Sequence, residues 1–254
     1  MIDLIVFSIG ENRYAMNIEN VQRIIQAEIL TEIPNSHPFI DGMMSYEKRV
    51  IKVLNFRKLI GMQRYENELS LLFEKLKDGH KEWIDALGVS LESGVAFTKT
   101  LDSSACELGK WIDSFTAYDD DVVDILNRLI EYHKQLHLSG ATTLEMAKKD
   151  RKKALKVFYS KVTEIYRHTM GTLDTFIKEL DLVAASLQKM IIYENSGVLF
   201  AIKVDAIEDI AHVQESEFKD LSGEYELEDL LELEGVLELK DVLINIIKTV
   251  KLPS

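Results

Sequence analysis

The two ends of the chain carry diverged copies of one pattern, and no other feature of the sequence constrains the fold as much. Tyr14-Ala15-Met16-Asn17-Ile18-Glu19-Asn20-Val21-Gln22-Arg23-Ile24 matches Phe200-Ala201-Ile202-Lys203-Val204-Asp205-Ala206-Ile207-Glu208-Asp209-Ile210 class for class. Each copy follows a glycine, Gly10 or Gly197, and a short apolar run, which together read as a hairpin. Further along, Gly42 precedes Val50-Ile51-Lys52-Val53-Leu54 and Gly235 precedes Val242-Leu243-Ile244-Asn245-Ile246, so each end offers several short β-branched strands. Residues 1–64 and 190–254 are each too few to close a substantial core alone, so the two lobes are expected to form one split β domain.

Between the lobes, over residues 65–189, the pattern turns helical and contains no proline. A first helix is expected from Tyr65 to Leu91, with Leu69, Leu72, Phe73, Leu76, Trp83 and Leu87 on its apolar face. A short second helix is expected from Ser104, where Ser104-Ala105-Cys106-Glu107 has the spacing of a capping box, to Ser114. The acidic run Asp119-Asp120-Asp121 suits the positive start of a third helix, which Ser139-Gly140 would end. A fourth, after Thr142-Thr143-Leu144-Glu145, is expected to run to Leu187 with Gly171 as its one weak point. An up-down bundle returns its chain near its start, which suits an inserted domain. The fold class is therefore α+β.

Hydrophobic residues make up 46% of the 254 and charged ones 29%, the balance of a globular protein. The formal net charge of −13 argues against nucleic acid or an anionic membrane as a partner, since both reward a basic face. It is unevenly spread: +1 over residues 1–64, −4 over 65–190 and −10 over 191–254. The acidic stretch from Glu224 to Glu234 reads as a solvated face or a docking surface. The opening MIDLIVFSIG lacks the flanks of a secretory signal and no segment is a membrane-spanning run, so a cytoplasmic protein without membrane insertion is expected.

Cys106 is the only cysteine in the sequence, so its chemistry is metal binding, oxidation or an intermolecular bond, unless it is an inert buried thiol. With Ser104 as N-cap it would sit at the second helical position, where free N–H groups and the helix dipole favour a thiolate; Lys110, one turn on, would add a positive charge. His133 and His137, four apart, project from one helical face. Their segment lacks the HExxH glutamate that would serve as a general base in metal-assisted hydrolysis. His80 lies on the apolar face with Trp83 and Leu87. Three imidazoles and one thiolate complete a tetrahedral zinc shell. His37, His168 and His212 are expected to be solvent-facing or locally hydrogen-bonded.

Three motifs carry a resemblance. His80-Lys81-Glu82-Trp83, Cys106-Glu107-Leu108-Gly109-Lys110-Trp111 and His133-Lys134-Gln135-Leu136-His137 resemble the chemoreceptor zinc-binding domain, a four-helix bundle, over about Leu69 to Leu180. The resemblance implies Zn2+ held by His80, Cys106, His133 and His137, with Cys106 as the reactive centre for an oxidant such as hypochlorous acid or for zinc itself. Trp83, Lys110 and Trp111 are candidates to support the ligands. The outer segments resemble the CheW-like coupling domain of bacterial chemotaxis, a pair of small SH3-like β-barrels. The resemblance is carried by Phe7 to Val21, by Arg57-Lys58-Leu59-Ile60-Gly61 and by Val204-Asp205-Ala206-Ile207. It implies a non-enzymatic adaptor whose partners are a chemoreceptor signalling tip, a chemotaxis histidine kinase, or both. One departure stands out: the family's Asn-Leu-Arg-Gly stretch is here Ser45-Tyr46-Glu47-Lys48, which places Glu47 at the arginine position. Two other readings are an adaptor with a purely structural zinc site and a zinc enzyme; four protein ligands with no open position argue against the second.

Overall fold

A computed structural model describes residues 1–219, 226–227 and 229–253. The chain divides into two compact units, Met1–Tyr65 with Ala184–Ser254, and Glu66–Val183.

The first unit is built of β-strands: β1 (Ile2–Ile9), β2 (Asn12–Asn17), β3 (Val21–Gln26), β4 (Ile40–Tyr46) and β5 (Arg49–Asn55) from the front of the chain. The back of the chain supplies β6 (Lys189–Asn195), β7 (Val198–Val204), β8 (Ala206–Val213), β9 (Glu226–Leu227), β10 (Leu231–Leu239) and β11 (Val242–Val250). They form two sheets, ordered β8-β1-β2-β11-β10-β9 and β3-β6-β7-β5-β4. Each sheet draws strands from both ends of the chain. β1 pairs antiparallel with β8 and β2 parallel with β11. The second sheet repeats this, β6 antiparallel with β3 and β7 parallel with β5. The repeat seen in the sequence thus produces two sheets that exchange strands, not one self-contained lobe per repeat. A parallel pair cannot be joined by a tight turn and needs a long crossover, and the connection from β5 to β7 includes the whole helical unit.

Buried residues of this unit gather in several clusters, and in the largest of them Phe7, Tyr14, Phe56, Tyr193 and Phe200 pack with Ile9, Leu54, Ile191 and Ile202. Phe7 and Phe56 meet edge to face at 5.3 Å. The hairpins turn through left-handed residues. Glu47 (φ 46°) and Lys48 (φ 66°) join β4 to β5, and Lys240 (φ 50°) and Asp241 (φ 65°) join β10 to β11 at the matching place. Two central residues at positive φ follow the twist of the strands, although neither pair contains glycine. Glu47 is therefore the exposed tip of a tight hairpin. Within the acidic stretch, Glu224, Tyr225 and Glu228 lie outside the described residues, and Leu231 to Glu234 belong to β10.

A buried ion pair ties the two ends together. Arg57, 1% exposed, lies in the short helix α1 (Phe56–Leu59). It donates from Nε to Asp205 Oδ1 at 2.7 Å and from Nη2 to Asp205 Oδ2 at 2.6 Å. Its Nη1 donates to the Gln63 carbonyl at 3.1 Å, and the guanidinium sits 4.7 Å from the centre of the Tyr65 ring. Asp205 also accepts from Gly10 N at 2.7 Å and Gln188 Nε2 at 3.2 Å. The network holds the first hairpin, the residues where the chain leaves the β unit and the residue where it returns.

The second unit is helical. α2 spans Tyr65–Ser93, α3 Glu107–Ser114, α4 Asp120–Ala147, α5 Arg151–Val157 and α6 Thr163–Lys178, with a π-helical turn over Phe158–Val162. α7 (Leu180–Leu187) leads to β6. Among the described residues no helix is long and apolar enough to cross a membrane. Trp83, Leu87, Leu91, Leu136, Phe158 and Val162 form the core between α2, α4 and the π turn.

Three helix boundaries differ from expectation. α4 does not stop at Ser139-Gly140 but runs through them. A Cβ on Gly140 would lie 2.4 Å from the Trp83 ring, so this glycine permits close packing and does not end the helix. The expected fourth helix begins at Arg151, where Asp150 takes the N-cap and accepts from Lys153 N at 3.0 Å. Thr142 and Thr143 instead donate their hydroxyls back to the carbonyls of Leu138 and Ser139. That helix also breaks at Glu179 (φ −104°, ψ 30°), whereas Gly171 lies in α6 without interrupting it.

Candidate metal centre

Each element presents its residue for a local reason. On α2, His80 Nδ1 donates to the Leu76 carbonyl one turn back at 2.8 Å. This fixes the tautomer and leaves the Nε2 lone pair free, the arrangement that orients a histidine toward a metal. On α4, the four-residue spacing puts His133 and His137 on the buried face, 2% and 1% exposed. Cys106 is itself the N-cap of α3, its Sγ accepting from Gly109 N at 3.3 Å. Ser104 does not cap this helix, because Asp102 Oδ1 accepts both its amide and its hydroxyl, at 2.9 and 2.8 Å. The turn also dictates Gly109, where a Cβ would lie 1.9 Å from the Ser103 carbonyl oxygen.

The four side chains converge, one donor atom from each lying within 4.8 Å of the others. His80 Nε2 and His133 Nε2 are 3.1 Å apart, Cys106 Sγ is 3.2 Å from His133 Nε2, and it is 3.9 Å from His80 Nε2. A tetrahedral zinc shell has edges of about 3.4 Å between nitrogens and about 3.6 Å from nitrogen to sulfur. The imidazoles stand nearly perpendicular, at 71° to 84°, so they meet through edges and not as stacked faces. Both ring nitrogens of His137 are buried and make no close hydrogen bond to a described residue, although the Thr100 and Leu101 backbone lies near enough to oppose the effect of burial on the ring. Leaving such groups unsatisfied costs about 1–3 kcal/mol each, and a cation among these atoms would remove part of that cost. The donor set of three imidazoles and one thiolate fits zinc.

Electrostatics favour neutral, ligating imidazoles. Burial, followed by the neighbouring histidines, pushes His133 down to about 3 and His137 down to about 4, and burial lowers His80. Burial pushes the Cys106 thiol up, against the amides of Gly109 and Leu108. The helix start alone therefore does not make the thiolate that was expected of it. Lys110 does not help, because it pairs with Glu107 at 3.0 Å on the exposed side of α3. In the unfolded chain the histidines take up protons near pH 6.5, whereas in the fold His133 and His137 resist protonation down to about 3 and about 4. The unfolded state thus binds more protons across that interval, and stability falls as pH drops through it. Thermal unfolding of the chelator-treated chain, followed by helical circular dichroism, should show a lower midpoint at pH 5 than at pH 7.5.

Supporting residues divide. Trp83 packs its ring 5.0 Å from that of His137 and donates from Nε1 to the Thr100 carbonyl at 2.7 Å. Trp111 stacks on Phe115 at 4.8 Å and meets Phe73 edge to face at 5.0 Å, which anchors α3. The other histidines lie elsewhere: His37 against Phe39, His168 stacked on Tyr132, and His212 paired with Asp3 at 2.7 Å. Sequence reasoning missed the Arg57–Asp205 pair. Both residues were visible in the lobe motifs, but nothing in their separation of 148 positions signals a contact.

The fold and the cluster together define a β scaffold interrupted by a helical unit with a metal-type donor set. Comparison with known proteins then bears on the scaffold: the family model of the CheW-like domain matches residues 3–77. The chemotaxis protein CheW of Thermotoga maritima is 27% identical over 77 residues, which are 30% of this chain and 51% of that protein. The chain thus spans about half the length of that curated relative. The crystal structure of the scaffolding protein TtCheW from Thermoanaerobacter tengcongensis aligns with 97% of this chain and 88% of its own, at 13% identity and a TM-score of 0.46.

Proposed function

We propose that this chain is a non-enzymatic cytoplasmic adaptor of chemotaxis signalling whose helical unit, a four-helix-bundle insertion, holds zinc through His80, Cys106, His133 and His137 and senses oxidant at Cys106. The observation that carries the reading is the convergence of these four donors, one atom from each lying within 4.8 Å of the others. The CheW-like match over residues 3–77 supports the adaptor role and, with it, a chemoreceptor signalling tip or a histidine kinase as the protein partner. Glu47, at the tip of the β4–β5 hairpin, implies a partner surface adapted to a negative charge.

A bound zinc ion would hold Cys106 as a thiolate against the effect of burial. His80 and His133 flank the sulfur, Gly109 N–H donates to it, and Cys106 is a partly exposed residue that a small reagent can approach. Hypochlorous acid reacts as Cys–S⁻ + HOCl → Cys–SOH + Cl⁻, the sulfur losing two electrons and the chlorine gaining them. The charge that anchored α3 is then gone, while the three imidazoles stay on α2 and α4. α3 becomes the element with two states, and the path from α6 through α7 into β6 leads on to the adaptor unit. The partial exposure of Cys106 and its place on the wall of a cavity favour this over a purely structural site, where a buried, inert thiolate is the rule. The test is one equivalent of hypochlorous acid, followed by intact mass and zinc content. A single added oxygen or zinc loss, absent in Cys106→Ser, is expected; unchanged mass and zinc in the wild type would leave a structural site.

A further inference from the structure

One side of the site opens on a cavity. This cavity, of about 420 Å3, borders His80 and Cys106 but neither His133 nor His137, so the sulfur and one imidazole are the ligand groups a reagent meets from it. Gly79 and Thr100 contribute to its wall; on its rim Lys99 pairs with Glu82 and Glu107 with Lys110, which leaves Lys75 and Asp78 as one charge of each sign with no ion pair to a described residue. Its size lies at the low end of small-ligand sites, about 300–1,000 Å3. Such a space takes an amino-acid or short-peptide molecule and excludes a folded domain. A rim of mixed charge suits a molecule with both ammonium and carboxylate groups. The sulfur is also chemically alone: a sulfenic acid is commonly resolved by a second thiol, and these 254 residues contain no other.

We propose that the sulfenic acid formed on Cys106 is returned to the thiolate by a low-molecular-weight amino-acid thiol that enters through this cavity, a step that rests on the oxidant-sensing reading above. The thiol sulfur attacks the sulfenic sulfur and the hydroxyl leaves as water: Cys–SOH + RSH → Cys–S–S–R + H2O. A second thiolate then displaces Cys106: Cys–S–S–R + RS⁻ → Cys–S⁻ + RS–SR. The two electrons lost to the oxidant are restored, and the small thiol leaves as its disulfide.

Gly79 supplies the test. It lies within α2 and lines the cavity, and a Cβ there would meet nothing within 4 Å, so a larger side chain starts from open space at the cavity wall and suits the helix better than glycine. Full-length wild type and Gly79→Phe are oxidised with one equivalent of hypochlorous acid and then mixed with glutathione, with intact mass read over time. The wild type should pass from the sulfenic mass through a glutathione adduct at Cys106 back to the starting mass. In Gly79→Phe the glutathione step should slow by at least about tenfold while oxidation by the two-heavy-atom oxidant changes by less than about twofold, because access limits only the larger reagent. A sulfenic acid that forms in the wild type but resists glutathione, or equal glutathione rates in the two proteins, overturns the resetting step alone. Absence of any sulfenic product in the wild type overturns the oxidant reading and this step with it.

Discussion

Replacing His137 with alanine is expected to abolish stoichiometric zinc in the purified chain. Elemental analysis should give one zinc per chain for the wild type and for His168→Ala, whose ring stacks on Tyr132 and is not among the four converging donors. For His137→Ala, affinity should fall by at least about 100-fold, because loss of a mere outer-shell partner already costs 10- to 100-fold. His80→Ala and His133→Ala should behave alike, since all three imidazoles face one point. Cys106→Ser should retain much of the metal on three imidazoles and lose the response to oxidant. Equal zinc in wild type and His137→Ala would remove the site assignment, and the burial of the His137 ring would need another explanation.

The second large effect is expected in the β unit. Asp205→Ala leaves the Arg57 guanidinium buried without its bidentate partner and also strips the acceptor from Gly10 N and Gln188 Nε2. Breaking a buried pair by removing one member typically costs about 3–5 kcal/mol, a large share of the roughly 5–15 kcal/mol that holds a domain folded. The double variant Arg57→Met/Asp205→Leu should recover part of the loss, because no charge is stranded. Urea unfolding of the three proteins measures both differences. A cost below about 1 kcal/mol for Asp205→Ala would mean that water reaches the guanidinium and the pair is not the clasp described above.

The zinc-type motif was the most legible part of the molecule. His133 and His137 share a face by helical geometry alone, and Asp119 caps α4 where the acidic run indicated. The helix boundaries were less legible because glycine has two uses. Gly140 looked like a terminator and is a contact surface for Trp83, a distinction that depends on a ring 57 positions away in sequence. The capping of α3 failed for a similar reason. Asp102 captures Ser104, so the cap passes to Cys106, and that competition is decided by the folded turn.

The sequence by itself determined the elements and their chemistry: two sets of short β-branched strands, a proline-free helical stretch between them, and three histidines and a cysteine at spacings local helix geometry can use. Periodicity and ligand types are local properties, and local properties are written in neighbouring residues. Tertiary structure alone decided that the two repeats exchange strands between sheets, that Arg57 is neutralised by Asp205, and that burial raises the Cys106 thiol while lowering the imidazoles. Each of these depends on which distant segments pack together and on how much water that packing removes. The charge state of a ligand or of a buried arginine follows from that exclusion of water, which no stretch of sequence carries on its own.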